Sequence, residues 1–318
     1  MRKMVLLASC LVLGLAITAA GGEKKPLVGI SIIGAEHNWD INAFTGAQDK
    51  ARELGADVLA FDGERRIEKQ LSDIKTLITR KVDIIVVILG DEKSLVPALK
   101  EAREAGIPVV TADFNNPYTL CEVQTNNFAA MSDVVLKMVA DLGGKGKIAT
   151  FSVPGIPVSD VRENTIKLVL QSYPEIEIVA AEVAAIPGTV PDAYNKAKDL
   201  MRTHPDLKGF IAIFDMPLIG VAQAIEDEGK TGEIGCYGFD GDPTAMKMIL
   251  DPDSAYRCTA VQQPYAIGAT AAATALDVLA GKQVPRMKFV GYGIADKDNV
   301  LDLINTYEQY EEIRAEVN

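Results

Sequence analysis

Carboxylates, amides, an imidazole and flat aromatic rings recur at a few points along this chain, each directly after a short apolar run. They are Glu36-His37-Asn38-Trp39-Asp40, Gly90-Asp91, Asp113-Phe114-Asn115-Asn116, Phe214-Asp215, Asp240-Gly241 and Gln262-Gln263. A carboxylate accepts two hydroxyl protons, Asn and Gln both donate and accept, and an aromatic face covers the C–H side of a sugar ring. The mixture fits a neutral polyhydroxylated ligand. Catalytic patterns are poorly supported: there is no G-x-S-x-G elbow, no G-x-G-x-x-G after the first apolar run and no G-x-x-x-x-G-K-[ST]. Gly143-Gly144-Lys145-Gly146 ends a helical stretch instead of starting one. A carboxylate pair for glycoside hydrolysis stays open, because such a pair is assembled in space. With 2 His, 4 Cys at positions 10, 121, 236 and 258, no C-x-x-C and no H-E-x-x-H, no metal or redox framework is expected and no cofactor is implied.

The elements that must position these residues are legible from hydrophobic pattern. Strands are expected at LVGISII (27–33), DVLAF (57–61), DIIVVIL (83–89), IPVVTAD (107–113), KIATFSV (147–153), EIVAAEV (177–183), GFIAIFD (209–215), IGCYGFD (234–240) and CTAVQQ (258–263). Most are apolar without alternation, as strands buried on both faces are. Between them lie amphipathic stretches at 67–81, 95–105, 128–142, 161–173, 192–203, 218–228 and 266–280. Several are closed by a glycine, Gly55, Gly106, Gly229 or Gly281. Strand then helix, repeated throughout, predicts parallel α/β sheets with right-handed crossovers. Two sheets are needed to hold this many strands, with a seam near 125–128. A further strand is expected over 288–294 and a polar helix over 299–316. In such sheets ligands bind beyond the carboxyl ends of the strands, where the polar clusters above fall.

At 318 residues, 48% hydrophobic and 24% charged, the chain reads as an ordinary globular protein of about two domains. Its formal charge of −12 disfavours a nucleic-acid or anionic-membrane partner. The N-terminus opens Met-Arg-Lys, runs apolar from Met4 to Ala20 and turns polar at Gly22-Glu23, the pattern of a secretory signal over residues 1–22. Leu7-Ala8-Ser9-Cys10 also resembles a lipoprotein box, and an uncleaved anchor is a third reading. All three place the folded body in the periplasm or outside the cell. There, Cys236 and Cys258 pair if their strands are neighbours, or else stay buried free thiols.

With these residues in place, the chain resembles the type I periplasmic solute-binding proteins, and within them the ribose-binding group. The resemblance runs from about residue 27 to 295. It rests on Gly46-Ala47-Gln48, the 105–110 segment AGIPVV before Asp113, Thr125-Asn126-Asn127, Asp160-Val161-Arg162-Glu163, Gly238-Phe239-Asp240-Gly241, Gln262-Gln263-Pro264 and Ile267-Gly268-Ala269, in this order and spacing. It implies two doubly wound, Rossmann-like α/β lobes with parallel sheets, joined by a three-crossing hinge. The first lobe is expected at 26–126 plus 263–292 and the second at 127–262 plus 293–318. The resemblance further implies a monomer whose cleft closes on a small carbohydrate and delivers it to the permease of a membrane ABC transporter.

By the same resemblance, Asp113, Asp240 and Gln262 match family binding positions, and Thr125 and Asn126 fall on a polar pair at the seam. His37 stands for a common Asn, as a ligand donor or a solvent-facing loop residue. Trp39 takes a ring-stacking position, and Asp40 replaces a second aromatic. Phe114 replaces an Arg, Asn164 another Arg two residues beyond Arg162, and Phe214 an Asn before Asp215. Phe114 and Phe214 are expected as pocket walls, Arg162 as a ligand contact or a structural ion-pair partner, and Asp215 as a further polar contact. Losing those family donors points to a related but different solute: another aldose, a polyol or a cyclitol. The rival readings are a receptor feeding a chemoreceptor or sensor kinase, including one for a sugar-like autoinducer, and a secreted α/β hydrolase. The sugar-responsive repressors, similar in core, are excluded by the missing helix-turn-helix.

Overall fold

Segments such as Ile84–Ile88, five β-branched residues with no polar alternation, make strands covered on both faces, and all five are buried. The computed structural model describes residues 24–317, so the expected leader and Cys10 lie outside the described residues. Strands and helices alternate from the start: β1 (Leu27–Ile32), α1 (Asn38–Glu53), β2 (Asp57–Asp62), α2 (Ile67–Thr79), β3 (Ile84–Ile88), α3 (Val96–Glu104), β4 (Val109–Ala112) and β5 (Cys121–Thr125). A second series follows: α4 (Asn127–Asp141), β6 (Gly146–Ser152), α5 (Pro157–Leu170), β7 (Ile176–Val183), α6 (Thr189–Thr203), β8 (Leu207–Ala212), α7 (Asp215–Asp227), β9 (Gly235–Asp240), α8 (Pro243–Leu250) and β10 (Tyr256–Val261). The chain closes with α9 (Pro264–Leu279), β11 (Met287–Val290), β12 (Gly293–Asp296), α10 (Val300–Thr306), a 3-10 turn and α11 (Glu311–Val317).

These strands form two six-stranded sheets, β11-β5-β4-β3-β1-β2 in the first lobe and β12-β10-β9-β8-β6-β7 in the second. All pairs are parallel except β10 with β12. The chain therefore passes between lobes three times: after β5, after β10, and between β11 and β12. The last passage corrects one expectation, since the strand read over 288–294 is two strands in two different sheets, broken at Gly291-Tyr292. β5 escaped the sequence reading because CEVQT lacks a sustained apolar run. The terminal helix is likewise interrupted, by the 3-10 turn Glu308–Tyr310.

Each sheet is packed on both faces, so each lobe has two apolar cores. Fully burying one Ile or Leu contributes about 1.5–3 kcal/mol. In the first lobe α1 and α9 cross on glycine: a Cβ on Gly46 would stand 2.2 Å from the Tyr265 carbonyl oxygen, and one on Gly268 1.9 Å from that of Ala43. This backbone-to-backbone approach explains the two glycine motifs noted in the sequence. Cys121, Cys236 and Cys258 are free. Cys236 and Cys258 do sit on adjacent strands, but Cys236 packs with Phe210 on one face of the sheet and Cys258 with Ile211 on the other. The sheet itself keeps them apart, so the pairing is not made.

Candidate functional site

A cavity of about 130 Å³ opens between the carboxyl ends of the two sheets. It is smaller than the ~300–1,000 Å³ pockets that take drug-sized ligands, so it suits a small solute. Nine of the twelve residues expected at the site line it: His37, Trp39, Asp40, Asp113, Arg162, Phe214, Asp215, Asp240 and Gln262.

The first-lobe wall comes from the ends of β1, β2, β3 and β4. His37 precedes α1, and Asp40 in its first turn accepts a hydrogen bond from the His37 amide at 3.3 Å, tying off a helix N-terminus. Asp40 is buried and also ion-paired with Arg65, which reaches in from the loop after β2. Gly34 makes room for that loop, because a Cβ there would lie 2.7 Å from the Arg65 nitrogen. Burial, then the neighbouring Arg65, pulls the His37 pKa below its ordinary value, so the imidazole is neutral at pH 7. Asp113, at the end of β4, is 2% exposed and has a left-handed φ of 48°. A non-glycine residue held there costs on the order of 1–3 kcal/mol. Burial raises its carboxyl to about 7, against the opposing pull of Arg162 across the cavity. Asp240 shares both features, with a φ of 121° and a carboxyl raised by burial, so each lobe turns one such group toward the cavity.

In the second lobe Arg162, on α5, organises a buried network. Its guanidinium donates to Asn127 Oδ1 at 2.7 Å, to the Ile213 carbonyl at 2.8 Å and to Asp240 Oδ1 at 3.2 Å, and lies 3.8 Å over the Phe239 ring. Gln262 donates to the same Asp240 oxygen at 2.7 Å. Burial raises Asp240 to about 6, with Arg162 and Gln262 pulling it back. Asp215 serves the fold: it accepts from Tyr256 Oη, Thr259 Oγ1 and the Asp242 amide, each at 2.7 Å. Gly238 leaves the space for this knot, since a Cβ would stand 2.1 Å from Asp215 Oδ1. Burial, with Asp240 nearby, pushes the Asp215 carboxyl well above its usual range.

Five buried polar atoms that line this cavity have no hydrogen-bond partner in the protein: His37 Nε2, Trp39 Nε1, Arg65 Nε, Asp113 Oδ1 and Gln262 Oε1. Leaving such a group unmatched costs about 1–3 kcal/mol each, so their convergence is a site prepared for polar atoms of another molecule. Indole and guanidinium nitrogens only donate, and carboxylate and amide oxygens only accept. A hydroxyl group, which does both, satisfies either kind.

Three expected residues stand elsewhere. Phe114 is wholly buried in the first-lobe core with Leu95 and Leu99, so it is not a pocket wall. The turn at Asp113 sends one side chain to the cavity and the next beneath the sheet. Asn126 caps α4, its Oδ1 accepting from the Ala129 amide at 3.1 Å. Asn164 is exposed on α5: two residues past the inward-facing Arg162 is about 200° round the helix. Conversely, Arg65, Asp242 and Gln309 line the cavity and were not anticipated. The strand-end rule applied to β2 as well would have found Arg65. Gln309 comes from the chain's last turns, donating to the Gln262 carbonyl at 2.9 Å, and no sequence pattern announces it.

Two α/β lobes, three crossings and a polar cavity between the strand ends define a hinged solute receptor. The chain belongs to the periplasmic binding protein family, whose domain it matches over residues 28–283. That membership implies an extracytoplasmic location and a solute-binding role. Among relatives, the ribose import binding protein RbsB of Bacillus subtilis is 28% identical over 271 residues, 84% of this chain and 86% of that one. An ABC sugar transporter subunit from Rhodobacter sphaeroides is 34% identical with a TM-score of 0.84, covering 86% of this chain and 99% of that one. An ABC transporter solute-binding protein from Agrobacterium vitis, solved with allitol, is 31% identical with a TM-score of 0.86, covering 89% and 99%.

Proposed function

We propose that this protein is a non-enzymatic receptor that captures a neutral sugar or polyol between its lobes and hands it to an ABC transporter. The observation that carries this is the set of five unpartnered buried atoms around one cavity, three nitrogens and two oxygens in number, matched to hydroxyl groups. The relatives that import ribose and the neighbour that holds allitol support the same chemistry. Asp113, His37, Trp39 and Arg65 take the solute from the first lobe, and Gln262 from the crossing. Arg162 and Asp240 act from the second lobe, so a solute that touches both sides favours the closed arrangement. The signal over residues 1–22, release as a soluble monomer and lobe limits at 126/127, 262/263 and 292/293 belong to this reading.

A thermal-shift screen of the purified protein against aldopentoses, aldohexoses, polyols, inositols and amino acids tests it. A ligand at 100 times its Kd adds about 2.7 kcal/mol of stability. A carbohydrate shift that vanishes in Asp113→Ala supports the proposal. A shift with amino acids alone, or chemical turnover of a bound sugar, overturns it.

A further inference from the structure

Most of the apolar side chains that line the cavity stand on the second lobe. The five unpartnered cavity atoms belong to residues 37–113 and to Gln262; among the described residues, no buried side-chain polar atom between 127 and 261 lacks a partner. Of the second-lobe acids, Asp215 is engaged by Tyr256, Thr259 and the Asp242 amide and Asp242 by the Thr244 amide, while Asp240 is held at Oδ1 alone, by Arg162 and Gln262, with its side chain 21% exposed. Ser159 accepts from the Val153 amide. Beside these groups, Arg162 and Gln309, this lobe turns an apolar set to the cavity: Val153, Ile156, Val158, Ile186, Phe214 and Met216. They come from the loops after β6, β7 and β8 and the first turns of α5 and α7, and those three strands are neighbours in the sheet. Ile186 is 40% exposed although fully aliphatic. Against such a wall a hydroxyl loses its water without gaining a partner, whereas a methyl group gains by burial.

We propose that the solute is amphipathic: a polyhydroxylated head held by the first lobe and the Arg162–Asp240 pair, and a short non-hydroxylated end, a deoxy carbon or an O- or S-methyl group, seated against the second-lobe apolar patch. The inference rests on the proposed solute-binding function and narrows its substrate class.

Isothermal titration calorimetry on the purified protein tests it with pairs differing at one terminal position. The pairs are D-ribose with 5-deoxy-D-ribose and with 5-S-methyl-5-thio-D-ribose, and ribitol and allitol each with its terminal deoxy analogue. In any pair that binds, the capped member is expected to bind about tenfold tighter or more than its parent. Ile186→Ser, at an exposed position, and Met216→Gln are expected to shrink that ratio toward one. A parent that binds as tightly as its capped analogue overturns the proposal and leaves the receptor function standing. Binding by none of these compounds also overturns it, and the wider screen above then decides separately whether the protein is a carbohydrate receptor.

Discussion

The two walls of the cavity are built from the same unit, a buried parallel strand whose carboxyl end runs into a loop and a helix, yet they treat polar groups in opposite ways. In the second lobe, Asp215 and Asp240 are each held by protein donors, and the network runs from Asn127 through Arg162 and Asp240 to Gln262. In the first lobe, Asp113 is as deeply buried as Asp215 but has an unmatched oxygen, and that alone sets it apart: Asp240 also has a positive φ, and burial raises the carboxyls of all three. The difference teaches where stability and affinity are separated. A satisfied buried carboxylate rigidifies its lobe, and an unsatisfied one stores a cost that a ligand can relieve.

The largest effect that would sharpen this contrast is expected from Arg162→Ala. It strips Asp240 of its cation and Asn127 of its donor, and breaking a buried pair from one side costs about 3–5 kcal/mol. Urea unfolding should show that loss without any ligand present. Asp113→Asn should act the other way round: solute affinity falls by about 1.5–3 kcal/mol, the worth of hydrogen bonds to a charged group, while unliganded stability at pH 8 holds or rises. Calorimetry and urea melts on that one variant would break the comparison if stability fell along with binding.

Acidity acts on both walls in the same direction. The Asp113 carboxyl keeps its proton up to about pH 7 when folded but loses it near 3.8 when unfolded. Across that interval the native state holds more protons, so this group's contribution to stability declines as pH rises from about 4 to 7 and is flat beyond. Asp240, at about 6, contributes in the same direction over a narrower range. A plot of unliganded Tm against pH should therefore flatten in Asp113→Asn. Solute affinity should run oppositely, weakening below about pH 7 as the acceptor becomes protonated. The smallest effect is expected from Asn164→Ala, exposed on α5, which should change binding and stability by less than about 0.5 kcal/mol.

Much of the fold was legible because its strands are uninterrupted apolar runs, and strand ends then located Asp113, Asp240, Gln262 and the His37–Asp40 loop. What the sequence hid has physical reasons. Whether Phe114 faces the cavity or the core turns on the single backbone rotation at Asp113, which residue type does not reveal. Asn164 looked eligible by alignment with a patterned position, but helical geometry turns it outward. Arg65 becomes a wall only because Asp40, distant by a whole strand and helix, ties it in place. β11 and β12 read as one strand because neither the two residues between them nor their composition signals a change of sheet.

Those two residues also set how the lobes can move. One residue separates β5 from α4, two separate β10 from α9, and two separate β11 from β12. Thr125 is paired with Val290 and Val261 with Gly293, so the three links emerge side by side, within about two strand spacings, roughly 10 Å. Further stitches hold them, Gln263 donating to the Gly291 carbonyl at 3.0 Å and Tyr292 to Asp133 at 2.8 Å. Tethers this short and this close together forbid sliding or separation and leave rotation about their common line. Whatever enters the cavity is thereby converted into a single mechanical variable, an angle, which is the simplest quantity a partner protein can measure.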